Sequence, residues 1–274
     1  MQLPIFIILS YFSYLFGLLV NIKFPKPFNK FIIKGYCKIF DVNMLEFQGT
    51  LADYHCLGDF FIRELKKDSR QIQSSFVSPV DGTIRNINEI CGENTIQVKN
   101  KSYSINKLAI DPAASEIFLE GLLFNFYLSP KDYHHIHIPF DAKINSIKYI
   151  PGTLWPVNDL SLNLVSELFA INERVVVCGE AFGGNFMLVL VGAYNVGKIS
   201  LTINDQITNK HFKNRKVQEY LVNKSLQVGD KLGTFHLGSS VVFLIDKKIK
   251  SQFDFIGLKD KHGIKFGDSL IINY

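Results

Sequence analysis

Hydrophobic side chains fill the start of the chain. From Gln2 to Ile22 no residue is charged, and Leu, Ile, Phe, Tyr and Val recur, diluted by Pro4, Ser10, Ser13, Gly17 and Asn21. About 20 such residues reach across a bilayer as a helix, so Leu3–Ile22 is expected either to span a membrane or to lie on one. No basic segment precedes the run and no small-x-small cleavage site precedes Lys23, which argues against a removable signal peptide. Lysines then recur every four residues at Lys26, Lys30, Lys34 and Lys38, while Phe28, Phe31, Ile32, Ile39 and Phe40 fill other faces. This spacing predicts an amphipathic helix opened by Pro27, of the basic kind that lies among anionic headgroups. Because the lysines follow the apolar run, residues 1–40 are expected to attach on the cytoplasmic side.

A short helix is predicted over Leu57–Lys66, with Asp59 as its N-cap. Beyond it, branched and aromatic runs punctuated by Gly, Asn, Asp and Pro predict strands. These are Thr83–Ile90, Thr95–Val98, Leu122–Leu128, Ile144–Ile150, Arg174–Cys178, Phe186–Ala193 and Lys198–Ile203. Helices are expected at Lys107–Glu120 and Leu160–Phe169, and the polar stretch Thr208–Val228 reads as a loop. Leu232–Leu237 and Val241–Ile245 read as a final hairpin with its corner at Gly238-Ser239-Ser240. The fold class is α+β: N-terminal membrane-associated helices (1–40), then a largely antiparallel β core (41–274).

Composition sharpens this in places. Hydrophobic residues make up 47% of the 274, and the 24 phenylalanines suggest lipid contact. The net charge of +5 suits an anionic membrane or substrate. No Lys/Arg-rich tract points to a nucleic-acid partner. Cys37, Cys56, Cys91 and Cys178 are widely spaced, which fits a reducing compartment better than a zinc site or a disulfide framework.

Three stretches carry candidate chemistry. At Gly238-Ser239 the glycine lacks a Cβ to crowd its carbonyl, and the following hydroxyl lies within reach of it. A serine so placed attacks its own preceding peptide bond when a base takes its proton and donors hold the oxyanion; the plain alternative is a turn. Ser78-Pro-Val-Asp-Gly82 has turn composition, or presents the Asp81 carboxylate at a strand end. In Tyr133-His-His-Ile-His137, strand alternation puts His135 and His137 on one face and His134 on the other. The histidines suit metal chelation, although no third ligand stands at a recognisable spacing. They equally suit acid–base chemistry, in which a carboxylate orients an imidazole that serves a hydroxyl. Asp81, a histidine and Ser239 would then form a triad from distant parts of the chain.

Longer motifs accompany these: Phe60-Phe-Ile-Arg-Glu-Leu-Lys66, Leu128-Ser-Pro-Lys-Asp-Tyr-His-His-Ile-His-Ile-Pro139, Pro151-Gly-Thr-Leu-Trp-Pro-Val-Asn158, Asn172-Glu-Arg174, Val191-Gly-Ala-Tyr-Asn-Val-Gly197 and Leu237-Gly-Ser-Ser240. In their order and spacing the chain resembles the phosphatidylserine decarboxylases, pyruvoyl enzymes of membrane lipid synthesis, from about Phe24 to its end. It departs from them in Lys198, where a serine is usual, in Ala142, where a glycine is usual, and in a short segment before Val228.

The resemblance implies a relay of Asp81, His137 and Ser239 for self-cleavage. His137 takes the proton of Ser239, whose oxygen attacks the Gly238 carbonyl; elimination and hydrolysis leave a pyruvoyl group at residue 239. That group forms a Schiff base with phosphatidylserine and serves as electron sink for loss of carbon dioxide, with His134 assisting. It further implies fragments 1–238 and 239–274 held as a heterodimer, a homodimer of that pair, no metal, and a place on the cytoplasmic face of the cell membrane. Other readings are a cleavage-dead membrane-bound β module, and a metal-dependent hydrolase using His134, His135 and His137. A soluble pyruvoyl decarboxylase of free amino acids is disfavoured by the apolar N-terminus.

Overall fold

The computed structural model describes residues 15–92, 96–98, 101–193, 198–204, 216–236, 238–255 and 262–272. Its helices are α1 (15–20), α2 (Lys26–Phe40), α3 (Leu57–Phe61), α4 (Ile105–Ala109), α5 (Ala114–Ile117), α6 (Asp159–Leu164), α7 (Leu168–Ile171) and α8 (Lys247–Lys250). Its strands run β1 (Gly82–Glu89), β2 (Ile96–Val98), β3 (Lys101–Tyr103), β4 (Leu122–Leu128), β5 (His135–His137), β6 (Ala142–Ile150) and β7 (Arg174–Ala181). There follow β8 (Gly184–Gly192), β9 (Ile199–Leu201), β10 (Gln218–Leu226), β11 (Lys231–Phe235), β12 (Ser239–Ile245) and β13 (His262–Ile264). Every pairing between these strands is antiparallel, so the α+β expectation holds.

The main sheet has eight strands in the order β10-β6-β7-β8-β12-β4-β1-β13. Its centre is covered on both faces, which is why β8 and β12 read as unbroken apolar runs rather than alternating ones. Val241, Phe243 and Ile245 of β12 pack with Phe124, Leu188 and the small sheet β5-β11-β9. Val242 and Leu244 face the other way, onto Ile105, Leu108, Phe118 and Phe169 of the short helical segments. Much of the phenylalanine content thus serves this core, including the edge-to-face cluster of Phe76 with Phe140 and Phe243, instead of lipid.

Tertiary context revises several expectations. The stretch Lys107–Glu120 forms two short helices, because Ile110 adopts a left-handed φ of 47° and Pro112 follows. Leu160–Phe169 likewise breaks, at Glu167 with φ 51°. The Leu57 helix stops at Phe61, since Glu64 and Lys66 pair with the backbone of Gln48 and Glu46. Its N-cap is Cys56, whose sulfur accepts from the Asp59 N–H. Part of the expected loop Thr208–Val228 is β10; residues 208–215 lie outside the described residues. The final hairpin does not exist. β11 belongs to the small sheet, whereas β12 enters the main sheet between β4 and β8.

The amphipathic helix is present as α2, with Pro27 in its first turn. Among the described residues no helix is long and apolar enough to cross a membrane, and Leu3–Ile22 lies largely outside them.

One buried amide fastens the ground beside β12. Asn172 is fully enclosed and donates to the carbonyls of Trp155 and Gly192. Its oxygen accepts from the Thr153 hydroxyl and the Trp155 N–H. Asn172→Ala leaves these groups buried without partners, so it should lower the free energy of urea unfolding by about 3–5 kcal/mol. A loss under about 1 kcal/mol would show that the network carries little stability.

Candidate active site

Ser239 is the first residue of β12. It faces Leu128 on β4 and Gly192 on β8, while Ser240 faces Tyr127 and Val191. Both side chains are fully buried, and neither hydroxyl oxygen has a hydrogen-bond partner among the described residues. A buried hydroxyl ordinarily finds a partner, so two consecutive orphans mark a place shaped for something other than stability. The chain passes from the small sheet to the main sheet across His236–Gly238, and Leu237 lies outside the described residues. Gly238 is half-buried, and open space lies where a Cβ would stand. Attack on its carbonyl therefore meets no side chain of its own.

The histidines alternate as strand geometry demands. Tyr133 stacks on both His135 and His137, at ring distances of 4.5 and 5.8 Å. His134 instead lies 4.2 Å from the Phe61 ring. His134 Nδ1 bonds the Asp132 carbonyl at 2.9 Å. A carbonyl only accepts, so Nδ1 carries the proton and Nε2 the lone pair; that Nε2 is buried and unpartnered. His135 is satisfied at both nitrogens, by the Ile62 carbonyl and the Thr234 hydroxyl, a structural role. His137 donates through Nδ1 to the Gly229 carbonyl at 2.7 Å, leaving Nε2 to accept from the Tyr133 hydroxyl at 3.3 Å. Among the described residues no group of three or more His, Cys, Asp or Glu could hold a metal ion.

Asp81 sits at the start of β1, where Gly82 has φ 154° and a Cβ would fall 2.3 Å from the Tyr127 carbonyl oxygen. Only glycine fits there, which accounts for the Asp-Gly pair. The Asp81 carboxylate accepts from Arg70 at 2.9 Å and from the Phe266 N–H at 2.7 Å. It forms no hydrogen bond to His137. The two are joined through Phe266, whose ring stacks 3.6 Å from the imidazole. Arg70 also holds Glu46, which in turn pairs with Lys265. The fold thus brings Asp81 and His137 to either side of one phenylalanine, and leaves Ser239 unbonded to either.

Burial dominates the electrostatics. It pushes His134 down to about 3, and His137 and His236 down to about 4. All three are neutral near pH 7, and a neutral imidazole is what general-base chemistry requires. Burial raises the Asp81 carboxyl against the pull of Arg70. Arg63 is the opposite case, a fully buried guanidinium whose pKa is lowered by desolvation. The supporting roles of Arg63, Arg70, Tyr133 and Phe266 could not be read from spacing, because each depends on a partner distant in sequence. Arg63 and Tyr133 do fall inside the Phe60–Lys66 and Leu128–Pro139 motifs.

The phosphatidylserine decarboxylase family model matches residues 57–272. The phosphatidylserine decarboxylase proenzyme of Legionella pneumophila is 37% identical over 244 residues, covering 87% of this chain and 85% of that protein. The proenzymes of the same name from Campylobacter jejuni and Helicobacter pylori are 36% and 37% identical. Each covers 94% of this chain, and the match takes in 97% and 95% of their own lengths.

The depressed histidines set a pH dependence. Unfolded, each titrates near 6.5, so below that pH the unfolded chain binds more protons than the fold. Stability therefore falls as pH drops through 6.5 and levels off only near the folded values. The slope approaches about 1.4 kcal/mol per pH unit for each such histidine. Asp81 and Asp132, whose carboxyls burial raises, oppose this closer to the carboxylate range. Urea unfolding of the Ser239→Ala chain should give lower stability at pH 5.5 than at 7.5. His236→Gln should shrink the difference by about one histidine's share, and equal stabilities at both pH values would contradict the assignment.

Proposed function

The chain belongs to the phosphatidylserine decarboxylase family, and we propose that it cuts itself before Ser239 and then converts phosphatidylserine to phosphatidylethanolamine and carbon dioxide. One observation carries the site assignment: the orphaned, fully buried Ser239 hydroxyl directly after an unobstructed glycine. Attack by Ser239 Oγ on the Gly238 carbonyl turns the amide into an ester. Loss of the Ser239 Cα proton then expels Gly238 as a carboxylate. Water replaces nitrogen on the remaining alkene as ammonia, which leaves the pyruvoyl group. That group supplies a carbonyl for the substrate amine and a sink for the electrons left by carbon dioxide.

The roles of the protein's groups follow. Self-cleavage is assigned to Asp81, His137 and Ser239. The Nδ1–H bond to Gly229 leaves Nε2 of His137 as its basic nitrogen, reached through the Tyr133 hydroxyl. Asp81 supports that imidazole by fixing Phe266. His134 is assigned to the decarboxylation step, where a neutral, unpartnered Nε2 in a dry site holds or returns a proton. After the cut, 239–274 carries β12, α8 and β13. Pairing of β12 with β4 and β8, and of β13 with β1, keeps it joined to 1–238. A homodimer of this pair completes the proposed assembly.

Substrate acyl chains stay in the bilayer, so the site must come to the surface. The described part of the attachment region supports this: Phe31 and Ile39 of α2 are 73% and 77% exposed, and Leu18, Leu19, Phe24 and Phe28 are exposed beside Lys23, Lys26 and Lys30. An apolar surface flanked by lysines suits an anionic leaflet, here assigned to the cytoplasmic face of the cell membrane.

Mass spectrometry of active protein should show fragments 1–238 and 239–274, the second blocked at its N-terminus; an uncut chain alone would overturn the mechanism. Ser239→Ala and His137→Ala should remain whole. His134→Ala should split normally but release carbon dioxide about 10²–10⁴-fold more slowly. If it turns over at full rate, the two histidine roles are misassigned.

Each lysine near an anionic surface contributes about 1 kcal/mol, screened by salt. Replacing Lys26, Lys30, Lys34 and Lys38 together by Gln should weaken sedimentation with anionic vesicles, most visibly at low salt. Unchanged sedimentation would remove α2 from the membrane contact.

A further inference from the structure

We infer that Arg63 and Tyr36 are positioning residues that tie the membrane-facing helix α2 to His134. The inference rests on the assignment of His134 to decarboxylation. The path runs through direct contacts at every step. On α2, the Tyr36 hydroxyl donates to the Pro130 carbonyl at 2.8 Å, and its ring meets Phe60 edge-on at 5.8 Å. Phe60 and Phe47 sandwich the Arg63 guanidinium, at 5.1 and 4.3 Å from their ring centres. Arg63 in turn donates to the carbonyls of Lys131 and Asp132, the latter at 3.0 Å.

The Asp132 carbonyl is the group that accepts from His134 Nδ1. Arg63 and His134 therefore converge on one oxygen. That oxygen decides which imidazole nitrogen keeps the lone pair. The loop before it is closed on itself, the Asp132 carboxylate accepting from the Ser129 N–H and the Ser129 carbonyl from the Asp132 N–H. Tyr36 holds this loop at Pro130, Arg63 holds it at Lys131 and Asp132, and Phe61, from the same segment as Arg63, closes on the imidazole itself. At its other side α2 is fastened by the buried Asn29, which donates to the Tyr54 carbonyl.

A fully buried arginine, spent on backbone carbonyls and two aromatic faces without a carboxylate in contact among the described residues, is costly to keep. Ordinary loop packing would be served by an apolar residue of similar volume. A fork that fixes two consecutive carbonyls suits a loop whose exact position matters to the residue that follows it. Displacement of a reacting group by about 1 Å costs up to about 10²-fold in rate.

The test uses full-length protein on anionic vesicles containing phosphatidylserine. Tyr36→Phe removes only the hydroxyl, and Arg63→Lys keeps the charge but loses the fork. Both should split completely at Gly238 and sediment with vesicles as the parent chain does. In both, kcat should fall, by about 10–100-fold for Arg63→Lys and less for Tyr36→Phe, with KM within about twofold. Full kcat in both cleaved variants overturns the inference, as does a change confined to KM or to vesicle binding. Should Arg63→Lys fail to fold, Tyr36→Phe alone decides by the same criteria. If His134→Ala itself decarboxylates at the parent rate, the underlying assignment fails instead, and that result is read independently of the two positioning variants.

Discussion

The structure depends on burying a whole strand on both faces while one end of it carries a hydroxyl with no partner. β12 is enclosed along its full length between β4 and β8. Dense packing on either side holds the strand in place, so the cost of an unpaired hydroxyl at Ser239 is met by the core and not by local contacts. The same ladder would let the fold tolerate the proposed break in the chain at this point. The bonds that hold residues 239–245 run to β4 and β8, both of which precede the Gly238–Ser239 peptide in sequence.

Desolvation is the second organising effect. Histidines, an arginine and an aspartate are drawn into apolar surroundings, and each is met by carbonyls, backbone N–H groups or aromatic faces. These partners leave the imidazoles neutral with defined tautomers. His135, between His134 and His137 in the chain, is fully satisfied by Ile62 and Thr234, whereas His134 keeps one nitrogen without a partner among the described residues. What separates His134 from His135 is a single missing partner.

The amphipathic helix is not an appendage. Through Tyr36 and Asn29 it is bonded to the loop 129–134 and to the segment that leads into α3. The surface proposed to meet the bilayer thus shares contacts with the residues that would act on a lipid headgroup.

Sequence alone determined the amphipathic lysine helix, the antiparallel character of the core and most strand positions, and it pointed to the candidate chemistry-bearing residues. These are local properties: periodicity, turn composition and ordered motifs are written in neighbouring residues. Three things had to wait for tertiary structure. The expected hairpin at Gly238 proved to be a crossing between two sheets, because an apolar strand does not state which partner it pairs with. The helix expected over Lys107–Glu120 broke at Ile110, where burial of Leu108 and Ala114 overrode a helical pattern. Asp81 and His137 stand apart on either side of Phe266, while Arg70 takes the carboxylate. Residues 11 and 185 positions away from Asp81 in the chain supply those contacts, and only packing of the whole fold decides which distant groups meet.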